Sequence, residues 1–76
     1  MIGSLKGKII SKKPTKIIVD VNGVGYLVNI SINTFEKIAD KDDVTLYTYL
    51  CVKQDGLDLY GFYSLAEKEM FELLIS

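Results

Sequence analysis

The chain is divided into short runs in which apolar residues alternate with polar ones or are rich in β-branched residues. A period of two residues is typical of a strand, because successive side chains point to opposite faces of a sheet. Pro14 interrupts the first run, since proline cannot donate a hydrogen bond to a sheet ladder. The pattern predicts five strands, at residues 1–13, 15–21, 24–32, 44–53 and 57–62.

Two dipeptides predict hairpin turns between these strands, Asn22-Gly23 and Asp55-Gly56. Asn-Gly is favoured where both central residues of a type I′ turn need a positive φ. Gly25 follows closely, but a dinucleotide phosphate loop needs a third glycine and a helix directly after it. The run continues as a strand, so Gly25 is interpreted as a bulge or a close backbone approach. Asn22, Gly23, Gly25 and Gly56 are therefore predicted to be structural turn residues.

Two segments carry helix signals instead of strand signals. Asn33 stands three residues before Glu36, which predicts a capped short helix between the third and fourth strands. Ser64 and Glu67 form a second capping box. Apolar residues recur at helical spacing behind it, at Ala66, Met70, Phe71, Leu73 and Leu74. This helix reaches Ser76 without a glycine, proline or cationic stop, so further chain is expected after it.

The order of elements is five strands, with a short helix after the third strand and a second helix at the C-terminus. This order matches the small five-stranded Greek-key barrel called the OB-fold, and glycines at positions 3 and 7 of the first strand suit a sheet that curls. The fold class is therefore predicted to be mainly β. Periodicity fits an open five-stranded sheet packed on a helix equally well.

Composition narrows the class of protein. The chain has 76 residues, 49% of them hydrophobic and 25% charged, which is typical of one small soluble domain. No apolar run approaches the ~18 residues of a membrane span, so a cytoplasmic protein with no membrane partner is expected. Cys51 is the only cysteine and histidine is absent, which argues against Cys-His and Ser-His catalysis and against the commonest metal ligand. No catalytic residue, metal site or cofactor is predicted.

The charge is uneven along the chain, although the net charge is only −1. The first 16 residues contain five lysines and no acid, and the rest of the chain is acidic. Four of these lysines, Lys6, Lys8, Lys12 and Lys13, are candidates for contacts with backbone phosphates, the alternative being a solvated strand face. Arginine is absent, so the domain is not expected to grip nucleic acid by itself.

Aromatic residues are concentrated in the last two strands and just after them, at Tyr47, Tyr49, Tyr60, Phe62 and Tyr63. Such residues can form a stacking platform for single-stranded nucleic acid on an OB-fold. Aromatic side chains in strands more often pack in the core or across strands, which is the favoured interpretation.

Four segments together resemble the N-terminal domain of the RuvA family, namely MIGSLKGKI, VDVNGVGYLV, DLYGF and EKEMFELLIS. RuvA proteins recognise Holliday junctions and work with the RuvB motor, and the resemblance covers essentially the whole chain. It implies that residues 1–63 are the OB-fold domain and that residues 64–76 are the first helix of a helix-hairpin-helix domain. It further implies a homotetramer on four-way junction DNA, in recombination and DNA repair, and a RuvB-binding domain outside this chain.

The resemblance also implies an acidic pin on the loop between the fourth and fifth strands. The family commonly has two adjacent acids there, and this sequence has Gln54 and Asp55. Only Asp55 carries over, with Asp58 as a candidate for support. The expected function is a non-catalytic junction-binding subunit that supports tetramer assembly, with ATP hydrolysis in RuvB. The alternative is an independent OB-fold module that binds single-stranded nucleic acid.

Overall fold

The computed structural model describes residues 2–76, and these residues form five strands and two helices in the predicted order. In chain order the elements are β1 (Ser4–Lys13), β2 (Lys16–Val21), β3 (Val24–Ile30), α1 (Ile32–Ile38), β4 (Asp43–Lys53), β5 (Gly56–Phe62) and α2 (Leu65–Ile75). Neither helix is long and apolar enough to cross a membrane.

The five strands close into a barrel with the order β1-β2-β3-β5-β4. The first half of β1 pairs with β4, from Ser4 to Lys8, and its second half pairs with β2. A short parallel contact between β3 and β5, at Asn29 and Tyr60 and at the next residue of each strand, completes the ring. The OB-fold prediction is confirmed, and the alternative of an open sheet is wrong.

The barrel interior is filled by every second residue of the strands, as the alternating pattern requires. The buried hydrophobic residues are Leu5, Ile17, Val19, Val28, Ile30, Ile38, Val44, Leu46 and Leu59. Ile38 comes from α1, which therefore contributes to the core. Thr48 is a buried polar residue in this interior, and its hydroxyl donates a 2.8 Å hydrogen bond to the Ile2 carbonyl. The core is thus apolar, and the hydroxyl of Thr48 is paired.

The turn between β2 and β3 forms as the Asn-Gly signal predicts. Asn22 has a φ of 51° and Gly23 a φ of 91°, so both central residues have the positive φ of a type I′ turn. The Gly23 N–H donates a 2.9 Å hydrogen bond to the Asp20 carboxylate. This part of the turn prediction is confirmed.

Close packing, and not a bulge, explains why a glycine occupies position 25. The β2–β3 register is regular from Lys16 to Val21, so no extra residue is inserted at Gly25. A Cβ at Gly25 would lie 3.2 Å from Cγ2 of Ile18, which leans over it on the outer face. The bulge in this part of the barrel lies instead in β1, where the register shifts between Ile9 and Ser11.

The cap of α1 differs from the prediction. Ser31 is the N-cap, and its Oγ accepts a 3.0 Å hydrogen bond from the Thr34 N–H. Asn33 lies inside the helix, and its side chain donates to the Glu67 carboxylate at 3.2 Å. Ser31, and not Asn33, caps the helix because β3 ends at Ile30, two residues before its predicted end. The second cap is as predicted, with Ser64 accepting from the Glu67 N–H.

Candidate nucleic-acid interface

A two-stranded hairpin arm, formed by residues 50–59, extends beyond the barrel. β4 and β5 pair continuously from Tyr47 to Lys53 on the first strand. β1 accompanies β4 only as far as Tyr47, and β3 meets β5 only from Tyr60 onward. Within the described residues, the outer rungs of this hairpin therefore have no third strand beside them. The arm presents its tip away from the core.

The tip of the hairpin arm is Gln54-Asp55. Lys53 already pairs with Gly56, so Gly56 is the first residue of β5 and does not belong to the turn. The predicted turn at Asp55-Gly56 is therefore wrong by one residue, because the cross-strand register brings the turn one position earlier. The consequence is that the two side chains implied as pin positions, Gln54 and Asp55, both stand at the exposed end.

Asp55 is the uncompensated charge of the arm. It is exposed, and among residues 2–76 the side-chain hydrogen bonds and ion pairs do not include its carboxylate. Asp58, by contrast, forms a 2.6 Å ion pair with Lys53 on one face of the arm. The hydrogen bond to Asp58, followed by its charge, raises the pKa of Lys53 above its ordinary value. The negative charge of Asp58 is therefore balanced locally.

Three of the five predicted aromatic residues pack against α2, whereas Tyr47 and Tyr63 are 36% and 37% exposed. Phe71 of α2 packs against these three, with ring centroids 5.7 Å from Tyr49, 5.3 Å from Tyr60 and 5.1 Å from Phe62. Packing against α2 is therefore confirmed for these three rings, and the single-strand-binding alternative loses them as stacking surfaces. Tyr63 is partly exposed, and the Lys37 ammonium lies 5.6 Å from the centre of its ring.

The lysines of β1 have different surroundings. Lys6, Lys8 and Lys13 are exposed. The Lys12 ammonium donates to the carbonyl oxygens of Ala39 and Lys41, at 2.8 and 2.9 Å. These carbonyls lie at the C-terminal end of α1, where a cation is favourable. Lys12 therefore has a structural role that its place in the sequence did not suggest.

The basic strand and the acidic tip lie at opposite ends of the barrel. β1 runs antiparallel to β4, and Lys8 pairs with Asp43, the first residue of β4. Ten residue steps of β4 separate Asp43 from Lys53, which corresponds to about 33 Å of extended strand at ~3.3 Å per residue. The longest dimension of the molecule is 32 Å. One phosphate cannot contact both Lys8 and Asp55.

Nothing in the described part of the chain gathers metal-binding side chains, since no group of three or more histidine, cysteine, aspartate or glutamate residues is present there. Cys51 is free and half-buried, and it lies opposite Asp58 on the outer face of the hairpin arm. The distinctive chemistry of this surface is therefore electrostatic, with a single carboxylate at the end of a projecting hairpin.

The sequence of this chain is similar to those of RuvA proteins. The family model described as the RuvA N terminal domain matches residues 1–61. A relative from Christiangramia forsetii is 50% identical over 76 residues, which cover 100% of this chain and 39% of the relative. A relative from Flavobacterium psychrophilum is 49% identical with the same coverage, and one from Francisella tularensis subsp. novicida is 45% identical over 99% of this chain and 35% of the relative.

Each of these relatives is named Holliday junction branch migration complex subunit RuvA. The chain spans about two fifths of the length of the first two. The family match covers β1 to β5 almost completely, and the barrel and its projecting hairpin lie within it. The chain therefore belongs to the family of RuvA N-terminal domains.

Proposed function

We propose that this domain belongs to a subunit that recognises Holliday junctions, and that it presents Asp55 as an acidic pin at the junction centre. In this role it supports homotetramer assembly and takes part in branch migration during recombination and DNA repair. One observation carries the proposal: among the described residues 2–76 of this RuvA-family barrel, the exposed Asp55 carboxylate has no charged partner, and it stands at the end of a hairpin arm that no third strand flanks.

The pin acts by repelling phosphates at short range. Two unit charges 4 Å apart in water interact by about 1 kcal/mol, and salt screens exposed charges beyond about 8 Å. A single Asp55 therefore affects only a strand that passes close to the tip. A tetramer places four copies around the junction centre, so the repulsion is multiplied there. Gln54 halves the charge that two adjacent acids would supply, and Asp58 adds little because Lys53 balances it.

The lysines of β1 take a secondary part in this proposal. Lys6, Lys8 and Lys13 are exposed and can attract duplex phosphates away from the centre, each by releasing counterions. Lys8 lies opposite Asp43 on β4 and Asp20 on β2, which weakens its field. Lys12 already binds two carbonyl oxygens, so its contribution is the smallest of the four.

In this proposal, most of the contacts with DNA are made by a helix-hairpin-helix domain that follows the OB-fold domain. We place the OB-fold domain at residues 1–63 and the first helix of a helix-hairpin-helix domain at residues 64–76. Two observations support this division. The family model ends at residue 61, before α2 begins. Met70, Leu73 and Leu74 of α2 are 64%, 76% and 79% exposed, which is typical of an apolar surface that another element covers.

The remaining parts of the proposal concern the complex. The domain has no catalytic role of its own, and ATP hydrolysis belongs to a RuvB motor that binds the subunit through a region outside this chain. The complex acts in the cytoplasm. The names of the relatives, each a subunit of a branch migration complex, support the part of the proposal that places this domain in a complex with other components.

The proposal is tested with the full-length protein that carries this domain. Asp55→Asn removes the charge and keeps the size of the side chain, so the rate of RuvB-driven branch migration should change while junction affinity stays within about twofold of wild type. Gel shifts with junction and duplex DNA measure affinity, and a strand-exchange assay measures the rate. Lys53→Gln/Asp58→Asn is the matched control, because it removes both charges of the ion pair and leaves the net charge unchanged, and it should change the rate less. Loss of affinity equal to the change in rate would contradict the pin role.

A further inference from the structure

The hairpin arm has an exposed apolar face. Val52 and Leu57 lie directly opposite each other on its two strands, and they are 71% and 65% exposed. Leu50 and Leu59, two positions inward on the same face, pack against or within the barrel core. The apolar stripe of the interior therefore continues along the arm, beyond the part of the sheet that the barrel covers, and ends next to the tip.

The other face of the arm is polar at the same level. Lys53 and Asp58 lie on that face and are paired with each other. Asp55 stands at the end of the arm, in the turn that joins its two strands. Within residues 2–76, a group that reaches the apolar face therefore meets two aliphatic side chains, with the Asp55 carboxylate nearby and Lys53 already paired with Asp58.

We propose that Val52 and Leu57 contact unstacked nucleobases at the crossover of the junction, so that the arm acts as an apolar wedge as well as a charged pin. This inference rests on the proposed function, because it places the tip at the junction centre. Proteins that open base steps commonly insert aliphatic side chains between bases, which replaces part of the lost stacking.

The charge beside this face favours a base over a phosphate. The Asp55 carboxylate repels a phosphate, whereas the face of a base is neutral and apolar. Of the phosphate and the base of DNA, this surface therefore favours the base.

The test uses full-length protein and a synthetic four-way junction with 2-aminopurine at the crossover, because the fluorescence of this base rises when it unstacks. The variant Val52→Thr/Leu57→Asn makes the face polar without touching the core. Ile10→Thr/Leu27→Asn is the matched control, since these residues are 60% and 56% exposed on the barrel wall. We expect the increase in fluorescence with Val52→Thr/Leu57→Asn to be about half of the wild-type increase or less. The increase with Ile10→Thr/Leu27→Asn should equal that of wild type.

Three results would overturn the inference. An unchanged fluorescence rise in Val52→Thr/Leu57→Asn would show that bases do not use this face. A smaller assembly for that variant in light scattering would assign the face to contact between copies. A wild-type protein that does not prefer the junction over duplex DNA would overturn the proposed function together with the wedge. Because that last result comes from wild type alone, it is distinguishable from failure of the wedge.

Discussion

The contact of Phe71 with the barrel offers a quantitative test of how α2 is held. Its ring lies 5.1 to 5.7 Å from three aromatic rings of β4 and β5, measured between centroids. Replacing a fully buried phenylalanine by alanine costs about 3–5 kcal/mol. Phe71 keeps part of its surface in water, so we expect Phe71→Ala to lower the unfolding free energy of the chain by about 2 kcal/mol.

This loss is a large share of the stability of so small a domain, which is expected to be about 4–11 kcal/mol at ~0.05–0.15 kcal/mol per residue. Urea unfolding followed by circular dichroism measures it. Leu74→Ala is the control, because Leu74 is 79% exposed and its truncation should cost less than about 0.5 kcal/mol. Equal losses in the two variants would refute the reasoning, since they would show that α2 is not anchored through Phe71.

Three further predictions follow from single contacts. Ser31→Ala should destabilise the chain by about 1 kcal/mol and Asn33→Ala by less, measured by urea unfolding, because Ser31 is the cap of α1. Gly61→Ala should cost about 1–3 kcal/mol by the same assay, since a Cβ there would lie 2.6 Å from the nearest core methyl group. The ion pair raises the pKa of Lys53 above 10.5, so its stabilisation is present at neutral pH and is lost as the pH rises through that raised pKa. Asp58→Asn should remove this alkaline dependence in thermal melts at increasing pH, whereas an unchanged dependence would contradict the assignment.

Local chemistry made some elements predictable from the sequence. The Asn22-Gly23 turn follows from the positive φ that its two residues tolerate, and the cap at Ser64 follows from its own backbone geometry. The cap of α1 was misplaced because Ser31 competes with Asn33, and the choice depends on where β3 stops pairing. The turn at Gln54 was misplaced for a similar reason, since a cross-strand register decides which residues are left unpaired.

Properties that depend on distant pairing could not be read from the chain. Closure of the barrel requires β1 to pair with both β4 and β2, and periodicity does not encode that choice. The separation of Lys8 from the acidic tip follows from the same pairing. Asp58 could be named as a charged residue near the tip, but its neutralisation by Lys53 depends on which face of the arm each side chain occupies.

The way in which β1 closes the barrel has a consequence for how the chain acquires its structure. The N-terminal segment is held by residues far along the chain, as in the hydrogen bond from Thr48 to Ile2 across 46 positions. β5, the last strand in the chain, pairs with both β3 and β4, so a nascent chain on the ribosome cannot complete its barrel until β5 has emerged. Folds dominated by such distant pairings form slowly, typically in milliseconds to seconds. Synthesis of β5, and not of the first hairpin, is thus the step after which this barrel can close.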